Sequence, residues 1–432
     1  MRKFIVYFML ISFIFSTLTI EVDAKEVDSK SIIPIVSADS AVLIDATTGE
    51  ILYSKNKDVA YPPASTTKTM TALLTIERFK LSDVVTVGSN PPLADGSKIY
   101  IDKGEKLTVK ELLYGMLLPS ANDCAEALAE HISGSMPAFV KLMNARAKQL
   151  GCKNTNFVNP TGLYNKNHKT SSYDLSLIMR QLVKHSEYRI IATTSAYIIP
   201  PTNTSALARP LWNENKLIQK SSNYYYTGCE GGKTGYTIQS EHSYVAAVTR
   251  NGQRLIVALV HDKNGASFQE ATNLFNYGFT NFELTKLYSK GDAVTTYKFD
   301  NLDIPLLATQ DFYYVQKKGT KGLPILKFIF KQKNLSSTSF KTVDYLLQAN
   351  VTIKGKSIGT INLSSGEYHE LKPLTIVNEI FNKGTLRIFY SIISILAIAI
   401  VILRVRKKIR NKRRNRYINR YRNRKRMFKK RK

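Results

Sequence analysis

Ser65 and Lys68 stand three residues apart in Pro62-Pro63-Ala64-Ser65-Thr66-Thr67-Lys68-Thr69-Met70. That pairing can make a nucleophile. A serine hydroxyl attacks well only when a base takes its proton, and an uncharged lysine amine can be that base. The two prolines fix an extended approach and exclude a helix interior. Met70, Leu73, Leu74 and Phe79 then recur with helical period. Ser65 is therefore expected at a helix start, with Lys68 one turn on and on the same side. A helix start also brings amide donors and a positive dipole end toward a developing oxyanion. The pattern is common by itself. Ser54-Lys55-Asn56-Lys57 repeats it after the strand-like Ile51-Leu52-Tyr53 and reads as a solvated turn.

Two further stretches raise its weight. Ser120-Ala121-Asn122, with Asp123 next, follows Pro119 at an expected helix start, and Lys233-Thr234-Gly235-Tyr236-Thr237 lies just ahead of an apolar run at Ser243. These three, in this order, are the signature set of class A β-lactamases and penicillin-binding proteins. On these residues the chain resembles the low-molecular-mass penicillin-binding proteins, specifically the serine-type D-alanyl-D-alanine carboxypeptidases. The likeness extends to Leu43–Leu52, Asn156–Leu163 and Ser172–Leu175, and covers about 37–285. It implies an acyl-enzyme on Ser65, Lys68 as base and Ser120 as proton relay to the leaving amine. It further implies that Asn122 binds substrate and the lysine, and that Lys233 and Thr234 hold a terminal carboxylate. Gly235 would let the strand edge approach, and backbone amides of Ser65 and Thr237 would form the oxyanion hole. Implied partners are the peptidoglycan stem peptide as substrate and β-lactams as inhibitors. No cofactor or metal is implied.

The elements that must position these residues are legible in outline. Ala41–Ile44 and Ile51–Tyr53 flank a turn and look like a hairpin. Thr108–Glu111 is a capping box ahead of an apolar helical run. Ala138–Leu150 and Tyr173–Lys184 are amphipathic, so a mainly helical stretch spans about 65–190. Ser243–Thr249 and Gln253–Val260 are apolar runs joined by Asn251-Gly252, a two-residue hairpin turn, and Ala271–Phe282 is expected to be a closing helix. Strands, helices, then strands predict an α/β (α+β) domain over 37–285: an antiparallel sheet with a helical subdomain. A small β-rich domain is expected at 290–372, without a cluster of catalytic residue types.

Charge and hydropathy frame the ends. Of the net charge of +29, 18 units fall in the acid-free tail at 404–432, leaving +11 for the rest. Arg2-Lys3, an apolar run and Val22-Asp23-Ala24 read as a signal peptide, 1–24, cut after Ala24. Residues 386–403 read as a transmembrane helix, a single-pass anchor in the cell membrane. The positive-inside rule then puts the tail in the cytoplasm on anionic lipid headgroups, and the catalytic domain on the cell-wall side. Lipid is the favoured partner of the tail over nucleic acid. Cys124, Cys152 and Cys229 form no disulfide framework or metal spacing.

Four alternative functions compete with this reading. A class A β-lactamase needs a deacylating Glu, and no Glu-x-x-Leu-Asn lies between Ser120 and Lys233. A zinc carboxypeptidase needs ligand spacing that the six histidines lack. Transpeptidase or endopeptidase activity shares the acylation step, and a silent penicillin-binding protein shares the fold.

Overall fold

Apolar side chains at nearly every position of Ala41–Ile44, Tyr244–Val248 and Leu255–Val260 build a sheet covered on both faces. Successive side chains alternate. Val42, Ile44, Val245, Ala247, Ile256 and Ala258 join a helical core, whereas Leu43, Tyr244, Ala246 and Val257 join Phe275 on the other side. In this computed structural model the described residues are 33–299, 302–320, 322, 324–330, 335, 338–370 and 383–429. The leader expected at 1–24 lies outside them.

Strands β1 (Ser40–Asp45) and β2 (Ile51–Lys55) form the first hairpin. Helices α1 (Lys68–Ile76), α2 (Val109–Leu117), α3 (Asn122–Ser133), α4 (Met136–Gln149), α5 (Ser172–Leu182) and α6 (Ser186–Ala192) follow. The chain returns through β3 (Cys229–Thr237), β4 (Glu241–Arg250) and β5 (Gln253–Asp262) to α7 (Ser267–Asn281). The sheet order is β2-β1-β5-β4-β3, all antiparallel, with β3 at an edge. Asn251 and Gly252 both take positive φ, 50° and 79°, as the tight β4–β5 turn requires.

Helix α1 is the hub, buried over Lys68–Thr75. Its polar residues are satisfied locally: Thr69 and Thr75 hydroxyls donate to carbonyls of the preceding turn. The helix ends at Ile76, one turn short of the apolar period that had included Phe79. Thr108 and Glu111 cap α2 reciprocally, as the sequence predicts. Ser120 does not start α3. It sits two residues earlier at φ 66°, in the left-handed region, and the helix begins at Asn122.

The chain divides into two compact units. The first takes residues up to Asp292 with Gln310–Phe330 and Gln348–Asn362; the second takes Ala293–Thr309, Lys331–Leu347 and the segment from Leu363. In the first, β6 (Phe282–Tyr288) pairs with β9 (Phe312–Lys317), and β10 (Leu326–Phe330) with β11 (Tyr345–Ile353). In the second, β7 (Ala293–Phe299) pairs with β8 (Leu302–Ala308), whose end meets the last residues of β12 (Lys356–Ser365). Every element described between Ala293 and Ser365 is a strand. Helix α8 (Lys383–Lys429) is continuous from the apolar stretch into the basic tail. It is long and apolar enough to cross a membrane.

Candidate active site

Ser65 lies in a single 3-10 turn, Ala64–Thr67, that runs directly into α1. Ala64 is held at φ 49°, an unfavourable conformation for a residue with a side chain, and it aims Ser65 outward. Lys68 Nζ lies 2.9 Å from Ser65 Oγ and donates to the Thr161 carbonyl at 2.8 Å. The lysine is wholly buried. Burial, reinforced by the nearby Lys233 charge, holds its pKa well below the ordinary lysine value. An amine so placed can accept the serine proton.

The loop that supplies Thr161 is itself fixed. Asn159 Oδ1 accepts from the Thr161 and Gly162 amides at 3.2 and 2.7 Å, and Thr71 Oγ1 donates to the Pro160 carbonyl at 2.7 Å. Gly162 sits at φ 88°, where a Cβ would come within 1.8 Å of the Ala64 carbonyl oxygen. Only glycine fits there. His168 joins the same support. The Val158 amide donates to its Nδ1 at 3.1 Å, so Nε2 carries the proton and donates to Thr67 Oγ1 at 2.8 Å. Burial lowers its pKa to about 4, which keeps the ring neutral.

Edge strand β3 closes the other side. Its register pairs Lys233, Gly235 and Thr237 with Val245, Ser243 and Glu241. The two-residue period therefore turns all three toward the helical face that carries Ser65. A Cβ on Gly235 would lie 2.8 Å from the Ser65 amide nitrogen and 2.9 Å from the Pro63 carbonyl oxygen, so the strand backbone rests against the turn that carries Ser65. Lys233 is buried and donates to the Thr234 carbonyl at 3.0 Å. Burial pushes its pKa down to about 8, with Glu214 opposing.

A cavity of about 280 Å³ opens here, lined by Ser65, Ser120, Thr234 and Gly235 among others. Asn122 and Thr237 do not line it. Asn122 Nδ2 donates to the Asp95 carbonyl at 2.5 Å, and its buried Oδ1 has no partner among the described residues. The lysine's second partner is thus Thr161, where the family resemblance implied Asn122. The Thr237 hydroxyl donates to Ser240 Oγ at 2.7 Å. Glu214 was not foreseen. It lines the cavity and accepts from Thr234 Oγ1 at 3.1 Å.

The cysteines are packing residues. Cys124 is fully buried against Gly115, and burial raises its thiol pKa well above the usual value. Cys152 and Cys229 are raised by burial to about 12 and about 11. All three are protonated thiols at neutral pH, which are poor nucleophiles. His261 also plays a structural part, stacked on Tyr61 with Nδ1 2.7 Å from Asp39 Oδ2.

The site thus joins a hydroxyl, a buried amine of lowered pKa 2.9 Å from it and a second buried amine on an edge strand, with a cavity that reaches the hydroxyl. Comparison with known proteins gives the family. The D-alanyl-D-alanine carboxypeptidase profile matches residues 26–264, and the profile for the penicillin-binding protein 5 C-terminal domain matches 282–370. The chain is 33% identical to D-alanyl-D-alanine carboxypeptidase DacF of Bacillus subtilis over 80% of its own length and 87% of that protein. Its fold matches penicillin-binding protein 5 from Haemophilus influenzae with TM-score 0.66 and 29% identity, covering 78% of this chain and 98% of that one. A mutant of the Streptomyces K15 DD-transpeptidase matches with TM-score 0.53 and 30% identity over 57% of this chain and 99% of its own. The chain belongs to the D-alanyl-D-alanine carboxypeptidase family of low-molecular-mass penicillin-binding proteins.

Proposed function

We propose that the protein is a serine-type D-Ala-D-Ala carboxypeptidase acting on peptidoglycan stem peptides. The observation that carries this is the buried, pKa-lowered Lys68 amine 2.9 Å from Ser65 Oγ. Ser65 Oγ attacks the carbonyl of the penultimate D-Ala, and its proton passes to Lys68 Nζ. The C–N bond to the terminal D-Ala breaks, and Ser120 hands the departing amine a proton. Water then hydrolyses the ester and frees Ser65. Lys233 and Thr234 hold the terminal carboxylate, a charge-assisted role suited to an ammonium and a hydroxyl. Asn122 binds the peptide, and the Ser65 and Thr237 amides receive the oxyanion. β-Lactams acylate the same serine and deacylate slowly. The peptidase domain occupies 37–285 and a β-rich domain 290–372.

The expected result is release of D-Ala from a synthetic acyl-D-Ala-D-Ala peptide, without cross-linked product when an acceptor amine is added. Cross-linked product in excess over free acid would favour transfer, a reading supported by the likeness to a DD-transpeptidase.

The reaction has a definite pH signature. Lys233 binds a carboxylate only while charged, and it loses its proton as pH rises through about 8. KM for the peptide is therefore expected to rise above that pH. Steady-state rates from about pH 6 to about pH 10 read the change directly. A KM flat across that range would remove Lys233 from carboxylate binding.

The same reading places the protein at the membrane. A leader at 1–24 directs export, residues 386–403 span the bilayer, and the 404–432 tail lies on anionic lipid inside the cell. The catalytic domain then faces the cell wall.

A further inference from the structure

Beside the catalytic cavity runs a second hollow of about 710 Å³. The two adjoin. Glu214 lines both; Ser97 and Ser120 line the cavity, and their neighbours Lys98 and Pro119 line the hollow. A group joined covalently to a ligand in the cavity would therefore lie next to this groove.

Its lining carries two exposed aromatic side chains. Tyr100 is 76% exposed and Trp212 65%. Tyr100 is held at φ 59°, a costly conformation for a bulky residue. The cause lies in α3. The buried Asp123 carboxylate accepts from the Ile99 amide at 3.1 Å and the Ile101 amide at 3.2 Å, which turns the ring between them out to solvent. The groove floor is tied together by side-chain hydrogen bonds. Arg209 donates twice to Glu105, at 2.6 and 3.1 Å, and again to the Tyr100 carbonyl at 3.3 Å. Asn203 ties the same segment to the Lys106 amide and the Gly104 carbonyl at 2.7 and 2.9 Å. On its far side Trp212 lines another hollow, also about 710 Å³, with Gln219, Lys220 and Tyr225. An exposed indole thus stands as a ridge between two hollows.

The charges lining the first hollow are balanced: Lys98 and Arg209 against Asp102 and Glu214. Such a lining offers donors and acceptors of both kinds without selecting a charged ligand. Flat aromatic faces with polar groups at their rims suit a ligand that is apolar on one face and hydroxylated at its edge. A pyranose ring has that character, and two hollows astride a ridge suit a chain of rings. We propose that Tyr100 and Trp212 form a subsite for the amino-sugar strand that bears the stem peptide. This rests on the substrate reading above and extends it from the peptide to the polymer.

Trp212 is the chain's single tryptophan, so its emission reports groove occupancy without any turnover. The full chain carrying Ser65→Ala is titrated with a disaccharide-pentapeptide and with the same pentapeptide lacking sugar. The sugar-bearing compound is expected to change the emission and to bind about tenfold more tightly, a gain in the range of aromatic contacts. Tyr100→Ala is expected to remove most of that difference. In the otherwise unaltered enzyme, Trp212→Ala raises KM about tenfold for the sugar-bearing substrate. It leaves kcat, the short peptide and penicillin acylation unchanged, and the unchanged acylation shows that the variant is folded. Equal affinity and equal emission change with the free peptide would overturn the proposal, because the groove would then hold peptide. Losses of equal size on both substrates would also overturn it. If neither substrate releases D-Ala while the sugar still shifts the emission, the subsite stands and the proposed reaction falls.

Discussion

Lys68→Arg is expected to acylate with penicillin about 10²- to 10⁴-fold more slowly than the unaltered chain, the range a positioned general base supplies. In the proposed reaction Lys68 takes the Ser65 proton, because burial and the Lys233 charge hold its pKa well below the ordinary lysine value. An arginine keeps its charge at every accessible pH and cannot serve as a base. It would also bring a larger cation into a site where the lysine already donates to the Thr161 carbonyl. Stopped-flow acylation with a chromogenic β-lactam measures the loss. An arginine variant acylating within a few-fold of the parent would show that some other group takes the proton.

Gly235→Ala is expected to cost about a hundredfold in acylation, the penalty for displacing a reacting group by about 1 Å. The added methyl meets backbone on three sides: the Ser65 and Thr66 amide nitrogens at 2.8 and 3.0 Å and the Pro63 carbonyl at 2.9 Å. None of these can swing aside like a side-chain tip. Strand β3 must back away, and Lys233 and Thr234 go with it. Because β3 is an edge strand, the rest of the sheet keeps its pairing, and the melting temperature falls far less than the rate. Thermal unfolding and acylation measured on the same preparation separate the two effects. A full rate in a stably folded Gly235→Ala protein would deny the close strand contact its role.

The parts legible in the sequence are those carried by side-chain pattern. The central strands read clearly because both faces of the sheet are covered, so Leu255–Val260 is apolar at every position. Asn251-Gly252 announced its hairpin, and Thr108–Glu111 its cap. The alternate residues of Lys233–Thr237 reach one face through strand period alone. What stayed hidden depends on backbone groups and tertiary placement. The partner of Lys68 is a carbonyl, which leaves no mark on residue type. Glu214 sits between Asn213 and Asn215 in a segment without periodicity and meets Thr234 only once the chain has folded. The start of α3 moved because Ser120 adopts a left-handed turn that the sequence gives no glycine to suggest. Strand β8 went unread because Pro305, a residue that argues against a strand, is paired within it opposite Thr296. Strand β6 continues without a break from α7, with no Gly or Pro between them to mark where the helix ends.

In the proposed mechanism Ser65 becomes the acylated nucleophile because Lys68 stands beside it uncharged. Intact mass after brief exposure to benzylpenicillin, followed by peptide mapping, tests it most directly. The expected result is one penicilloyl adduct per chain, on the peptide containing Ser65, persisting for many minutes and absent from a folded Ser65→Ala protein. An adduct on any other residue, or an undiminished adduct in Ser65→Ala, would contradict it.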